Sequence, residues 1–443
     1  MTSPVATFRS MWAELAPLGR DPRSGGYRRF AWTAEDETLR AWFAAQSAAR
    51  GLSLVEDRAG NQWAWWGDPD AALAAGTPGI VTGSHLDSVP DGGAFDGPLG
   101  VVSALAAVDE LRQRQVTPVR PIGVVNMVDE EGARFAVACA GSRIITGALD
   151  ADRARGLTDA DGVSMAQALR ATGRDPQTLG PDPHTVARIG AFVELHIEQG
   201  RQLAALPVDA PVAVGSHIWP HGRWRIDVPG EANHAGTTRL EDRRDAMLGQ
   251  AATVIAARRA AQERGCVATI GKVAVAPGGV NAIASHVTAW LDARGADADA
   301  VRGLVNYVGE VAADFDGVLS EESWTPTTAF DPDLVNRVAA VLSSEVSISR
   351  GEVAGPKAYE DAVHADKTDE FGAGPAAGSV PVIGTGAGHD AGIFANAGVP
   401  SVMLFVRNPT GISHSPEEFA TESDCLAGVR ALADVLTDLS GER

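Results

Sequence analysis

Cysteine is scarce in this chain. Cys139, Cys266 and Cys425 are far apart and odd in number, so they supply neither a disulfide framework nor a Cys-based zinc site. Positive charge is short as well. Lysine occurs only at 272, 357 and 367, and 37 Lys plus Arg face 57 Asp plus Glu, a formal net charge of -20. Without a cationic surplus to replace condensed counterions, nucleic acid and anionic membrane surfaces are excluded as partners. No apolar run reaches the length that crosses a bilayer, and the opening MTSPVATFRSMWAELAPLGRD lacks an apolar stretch flanked by a cleavage site. The expectation is a soluble, cytoplasmic protein. Internal repeats and low-complexity tracts are missing too.

What is present is enough for two domains. At 443 residues the chain is long for one, and a 45% hydrophobic content can fill sizeable cores. Periodicity predicts a helix over 35–50, strands over 52–56, 62–66 and 79–82, and a buried helix over 98–114. A strand over 121–128 ends at Asp129-Glu130-Glu131, and another over 191–195 ends at His196. Strands alternating with helices predict an α/β fold with a mixed sheet covered on both faces. The pattern changes after Pro211. Strands over 223–228, 266–275 and 285–292, with helices over 239–259 and 301–315, suggest a compact β-α-β-β-α-β unit inserted into the larger domain. The expected division is 1–211 with 328–443 for the larger domain and 212–327 for the inserted α+β unit. Another strand is expected over 401–406, and Ser347–Val380, rich in Gly, Ala and charge, reads as a long loop.

The stretch GSHLDSVPDGGAFDG, Gly83–Gly97, holds His85, Asp87 and Asp96 directly after a buried strand. Alone, His-x-Asp is usually a surface or capping pair, and successive acidic residues usually form a solvated face. His196 alone could be a satisfied core histidine, and His414 a loop residue. Their joint occurrence argues otherwise. Separate strand ends each deliver a ligand-type residue in a chain with only ten histidines. Two divalent ions about 3.5–4 Å apart need five or six ligands, usually with one shared carboxylate. His85, Asp96, Glu131, His196 and His414 fill that count. Asp87 lies on the same strand face as His85 and can hold its imidazole. Glu130, beside Glu131, is left for a proton. The nitrogen and oxygen donors suit zinc, with manganese or cobalt as alternatives.

Together, GSHLDSVPDGGAFDGPLG, DEEGARF, ELHIEQG, NHAGTT, GTGAGHDA and GISHSPEEF resemble the hydantoinase/carbamoylase branch of the M20 dizinc amidohydrolases. The resemblance spans nearly the whole chain. It implies two zinc ions, one among His85, Asp96 and His196 and the other held by Asp96, Glu131 and His414. It also implies Glu130 as general base and the insert as a lid that forms a homodimer interface. His234 resembles the residue that hydrogen-bonds the tetrahedral oxyanion, and Asn281 with Arg294 the pair that holds a substrate carboxylate. Gln199, His221, Gly388 and His389 are the remaining candidate pocket residues. Arg239 and Ala284 replace prolines usual in the family, and His221 replaces a Gln of allantoate-type members.

The expected reaction is hydrolysis of a linear C–N bond in an N-carbamoyl-L-amino acid or a related ureido acid such as allantoate. Such a resonance-stabilised bond needs an activated water, a polarised carbonyl and a protonated leaving nitrogen, which a two-metal site beside a carboxylate base supplies. Other readings are an M20 aminoacylase or dipeptidase, and a non-catalytic binding protein that kept the fold.

Overall fold

The computed structural model describes residues 3–207, 209–348 and 379–441. Two sheets divide these residues. The larger is built from β1 (Ser53–Glu56), β2 (Gln62–Trp66), β3 (Gly79–His85), β4 (Ile122–Met127), β5 (Ile189–Ile197), β6 (Val212–Ile218), β11 (Thr328–Ala329), β12 (Val382–Thr385) and β13 (Ser401–Val406). The smaller is built from β7 (His221–Pro229), β8 (Val267–Ala276), β9 (His286–Arg294) and β10 (Val318–Thr325).

In the larger sheet the order is β1-β2-β4-β3-β5-β13-β6-β11, with β12 also on β6. Its middle, β4-β3-β5-β13, is parallel. β3, β4 and β13 are buried along their whole lengths and β5 nearly so, as parallel strands covered on both faces must be. The Pro98–Gln113 helix covers β3, and its apolar residues, from Leu99 to Leu111, are buried almost without a break. The smaller sheet, β10-β7-β9-β8, is antiparallel throughout. β7 and β9 alternate in burial, and their inner residues Trp224, Ile226, Val228, Val287, Ala289 and Leu291 form a separate core with the helices Ala246–Glu263 and Ala298–Ala313.

Two expectations are corrected. Residues 212–218 were assigned to the insert, but β6 pairs with β13, β11 and β12 in the larger sheet. Its burial on both faces demands that placement, so the chain enters the smaller sheet only at β7. The helix expected over 239–259 starts later, at Ala246. Asp245 caps it by accepting from the Met247 amide, while the preceding residues form only a short 3-10 turn, Leu240–Asp242, and the Arg243 guanidinium bonds the Ala235 and Thr238 carbonyls. The long loop read over Ser347–Val380 lies largely outside the described residues. Among those described, no helix is long and apolar enough to cross a membrane.

Candidate metal centre

Parallel strands leave their C-terminal ends along one edge of a sheet, where ligands of open α/β folds collect. His85 is the last residue of β3, and His196 is next to last in β5. Beyond β4 the chain passes Asp129, at φ 53, and delivers Glu130 and Glu131. Asp96 comes from the loop ahead of the Pro98 helix. His414, at φ 55, comes from the loop that follows β13. Gly97 (φ 83) must be glycine for two reasons: its backbone is left-handed, and a Cβ there would strike the His85 ring.

Two groups of ligand atoms result, His85–Asp96–His196 and Asp96–Glu131–His414, each with its atoms within 4.8 Å of one another. Asp96 belongs to both. Its Oδ1 lies 3.2 Å from His196 Nε2 and 3.7 Å from His85 Nε2, while Oδ2 lies 3.4 Å from His414 Nε2. His414 Nε2 is 3.7 Å from Glu131 Oε2. The other imidazole nitrogens are committed: His85 Nδ1 faces the Asp87 carbonyl at 3.1 Å and His196 Nδ1 the Ile197 carbonyl at 2.9 Å. When neutral, a ring whose Nδ1 donates to a carbonyl presents Nε2 as a lone pair.

These residues fit a pair of cations. His85 Nε2, His196 Nε2 and Glu131 Oε1 are buried without a hydrogen-bond partner, a costly state unless an ion satisfies them. The electrostatics agree. Burial raises the Glu130 carboxyl well above its ordinary range; His85 opposes this, and Asp390, Glu131 and Glu194 add to it. Glu131 is pushed up to about 8 by burial and by Asp96. Burial alone would depress His85, but Glu130 and Asp87 outweigh it and hold its pKa high. Buried carboxylates crowded together in this way are relieved by positive charge.

Glu130 stands beside these groups, with Oε2 3.7 Å from His85 Nε2. Its other oxygen accepts from the buried Cys139 thiol at 3.3 Å. Asp87 differs from expectation in detail. Its carbonyl is the nearer contact of the His85 imidazole, and its carboxylate accepts from the Glu130 and Glu131 amides at 3.2 and 3.1 Å. It thereby ties the β3 end to the β4 end, which a strand-face argument could not foresee.

The remaining candidates fall into three places. Gln199 Nε2 donates to Asp96 Oδ2 at 2.9 Å and lies 3.2 Å from His414 Nε2, so its amide caps the ligands. His389, buried, packs on His196 with ring centroids 4.5 Å apart, and its Nε2 has no partner; Gly388 beside it faces open space. His221 and Arg294 are cross-strand partners at the ends of the two inner strands of the smaller sheet, His221 opening β7 and Arg294 closing β9. Arg294 donates to the Gly386 carbonyl of the larger domain at 2.9 Å and grips Asp292 with two bonds. His234 and Asn281 sit together, exposed, where His234 bridges to Ala282. No described contact joins them to the metal-ligand cluster. Sequence reasoning missed Glu418, whose carboxylate is buried beneath the Asp96 loop. The quoted motif GISHSPEEF contained it, but adjacent acids near a helix start look like surface.

A covered sheet with imidazoles and carboxylates gathered at the ends of its parallel strands defines a class: α/β proteins whose strand-end site can seat two cations. The family model for peptidase family M20/M25/M40 matches residues 81–438. The chain is 35% identical to the N-carbamoyl-L-amino acid amidohydrolase of Geobacillus stearothermophilus over 96% of both chains. It is 31% identical to the allantoate amidohydrolase of Escherichia coli strain K12, over 99% of this chain and all of that one. A solved hydantoinase/carbamoylase family amidase from Burkholderia ambifaria superposes with a TM-score of 0.77 at 29% identity, covering 100% of this chain and 98% of that one. The chain belongs to peptidase family M20/M25/M40, in its hydantoinase/carbamoylase branch.

Proposed function

We propose that this protein is a metal-dependent amidohydrolase that cleaves the linear C–N bond of an N-carbamoyl-L-amino acid or a close ureido acid such as allantoate. The observation that carries this reading is the pair of ligand groups sharing Asp96, with Glu130 alongside. Zinc best suits the imidazole and carboxylate donors, and manganese or cobalt can replace it. When bound, the ions supply an activated water and a polarised carbonyl. The chain does the rest. Glu130 Oε2 takes a proton from the attacking water and returns it to the leaving nitrogen, while the Cys139 thiol holds Oε1 still. An N-carbamoyl substrate releases ammonia, carbon dioxide and the free amino acid.

Arg294 and Asn281 are proposed to hold the substrate carboxylate, His234 the tetrahedral oxygen, and Gln199, His221, Gly388 and His389 to line the pocket. Arg294→Lys keeps the charge but loses the planar fork. Steady-state kinetics should show KM rising by about 10- to 100-fold, the value of hydrogen bonds to a charged group, with a smaller change in kcat. A change confined to kcat would place Arg294 elsewhere in the cycle.

The test of the reaction is to incubate metal-loaded protein with N-carbamoyl amino acids, allantoate and N-acyl amino acids, measuring ammonia and identifying the organic product. Turnover of N-acyl compounds alone would favour an aminoacylase.

The smaller domain is proposed as a lid and homodimer interface. Leu248 and Ile255 of the Ala246–Glu263 helix are 63% and 69% exposed, and β8, with Val267, Val273 and Val275 exposed, is an edge strand beside it. An apolar helix stripe next to an open strand edge is a surface that proteins cover. Light scattering should report a dimer for the wild type and a monomer for Leu248→Glu combined with Ile255→Glu. A monomeric wild type would end this proposal.

A further inference from the structure

Glu418 lies in the loop between β13 and the final helix, Glu422–Ser440, and is only 4% exposed. Its two carboxylate oxygens serve different segments. Oε1 accepts from the Phe95 and Asp96 amides, each at 2.9 Å. Oε2 accepts from the Ser413 hydroxyl at 3.1 Å. One buried side chain thus clamps the backbone that carries Asp96 to the residue preceding His414. The seat is close: a Cβ on Gly93 would run into the Glu418 side chain.

The two ligand groups do not depend equally on this clamp. His85 and His196 stand on β3 and β5, which are hydrogen-bonded to each other and to their outer neighbours. Their positions are set by the sheet. His414 has no such support. It sits on a loop with its side chain 50% exposed, and the Asp96 Oδ2 it faces belongs to another loop. Groups held on strands keep their geometry better than groups held on loops. Hydrogen bonds around metal ligands typically account for 10- to 100-fold in affinity.

We infer that Glu418 is a positioning residue for the second cation: it fixes the Asp96 loop against the His414 loop, so that the Asp96–Glu131–His414 group exists as a site while the His85–Asp96–His196 group survives without it. The inference rests on the two-cation reading above.

The test is zinc binding by the full-length protein, stripped of metal and titrated with Zn²⁺ alone, with bound zinc per chain counted after desalting. Wild type should hold two ions. Glu418→Ala should hold one ion with near wild-type affinity and bind the other at least about tenfold more weakly. Ser413→Ala leaves the carboxylate in place, cuts its link to the His414 loop together with the hydroxyl's longer contacts to Asp96 Oδ2 and the Gln199 amide, and should weaken the same ion by a smaller factor. That variant decides the matter if Glu418→Ala fails to fold by circular dichroism. Two ions bound at wild-type affinity in both variants, or equal weakening of both ions in a folded variant, overturns the inference. Fewer than two ions in the wild type overturns the two-cation reading itself, a distinct result.

Discussion

Glu130→Gln should lower kcat by about 10²- to 10⁴-fold, the usual contribution of a positioned general base, while zinc content stays at the wild-type level. The amide keeps the shape of the side chain and can still accept from the Cys139 thiol through one oxygen. It cannot take a proton. The separation of roles is geometric. Glu130 Oε2 is 3.7 Å from His85 Nε2, yet Glu130 is not among the residues that gather into either ligand group. Glu131, its neighbour, is. The measurement is single-turnover or steady-state rate together with metal analysis on the same sample. Loss of metal from Glu130→Gln would show that the functions of Glu130 and Glu131 are exchanged.

Asp96→Ala should have the largest effect of all, because Asp96 is the one residue in both groups. We expect neither ion to be retained after desalting and turnover to fall below detection. His414→Ala, which touches one group only, should keep one ion. Dialysis of the wild type against a chelator should likewise abolish activity, and added zinc or manganese should restore it. Two ions in Asp96→Ala would show that the carboxylate is not shared. Full activity after verified metal removal would sink the metal-dependent mechanism.

The candidate ligands were legible because chemistry and position coincide in this sequence. A parallel strand buried on both faces reads as a continuous apolar run, and a His or Glu at its end stands out. β3 running into His85 and β5 into His196 are of this kind. So is β4, which runs into Asp129-Glu130-Glu131. Asp96 and His414 were legible for another reason, through the motifs around them.

Other features depend on which segments come to lie side by side. No local pattern reveals that the Asp87 carboxylate accepts from the amides of Glu130 and Glu131, 43 and 44 residues away. Nor does one reveal that Glu418 accepts from the Asp96 amide 322 residues away. β6 was misplaced because its strand partners β13, β11 and β12, and the helices Pro332–Ile348 and Glu422–Ser440 that pack on it, lie far along the chain. The Arg294 contact with the Gly386 carbonyl, across the two domains, is likewise invisible until both are folded.

By itself, then, the sequence determined the inventory: which residues can ligate, which can carry a proton, and that apolar strands present them at their ends. Side-chain chemistry and hydrophobic period are local properties, and both survive in one dimension. The tertiary structure alone decided the tie between the Asp87 carboxylate and the Glu130 and Glu131 amides, the clamp made by Glu418, and the placing of His234 and Asn281 with no described contact to the metal-ligand cluster. Those are distances between segments remote in the chain, and only the packing of the sheet and its loops sets them.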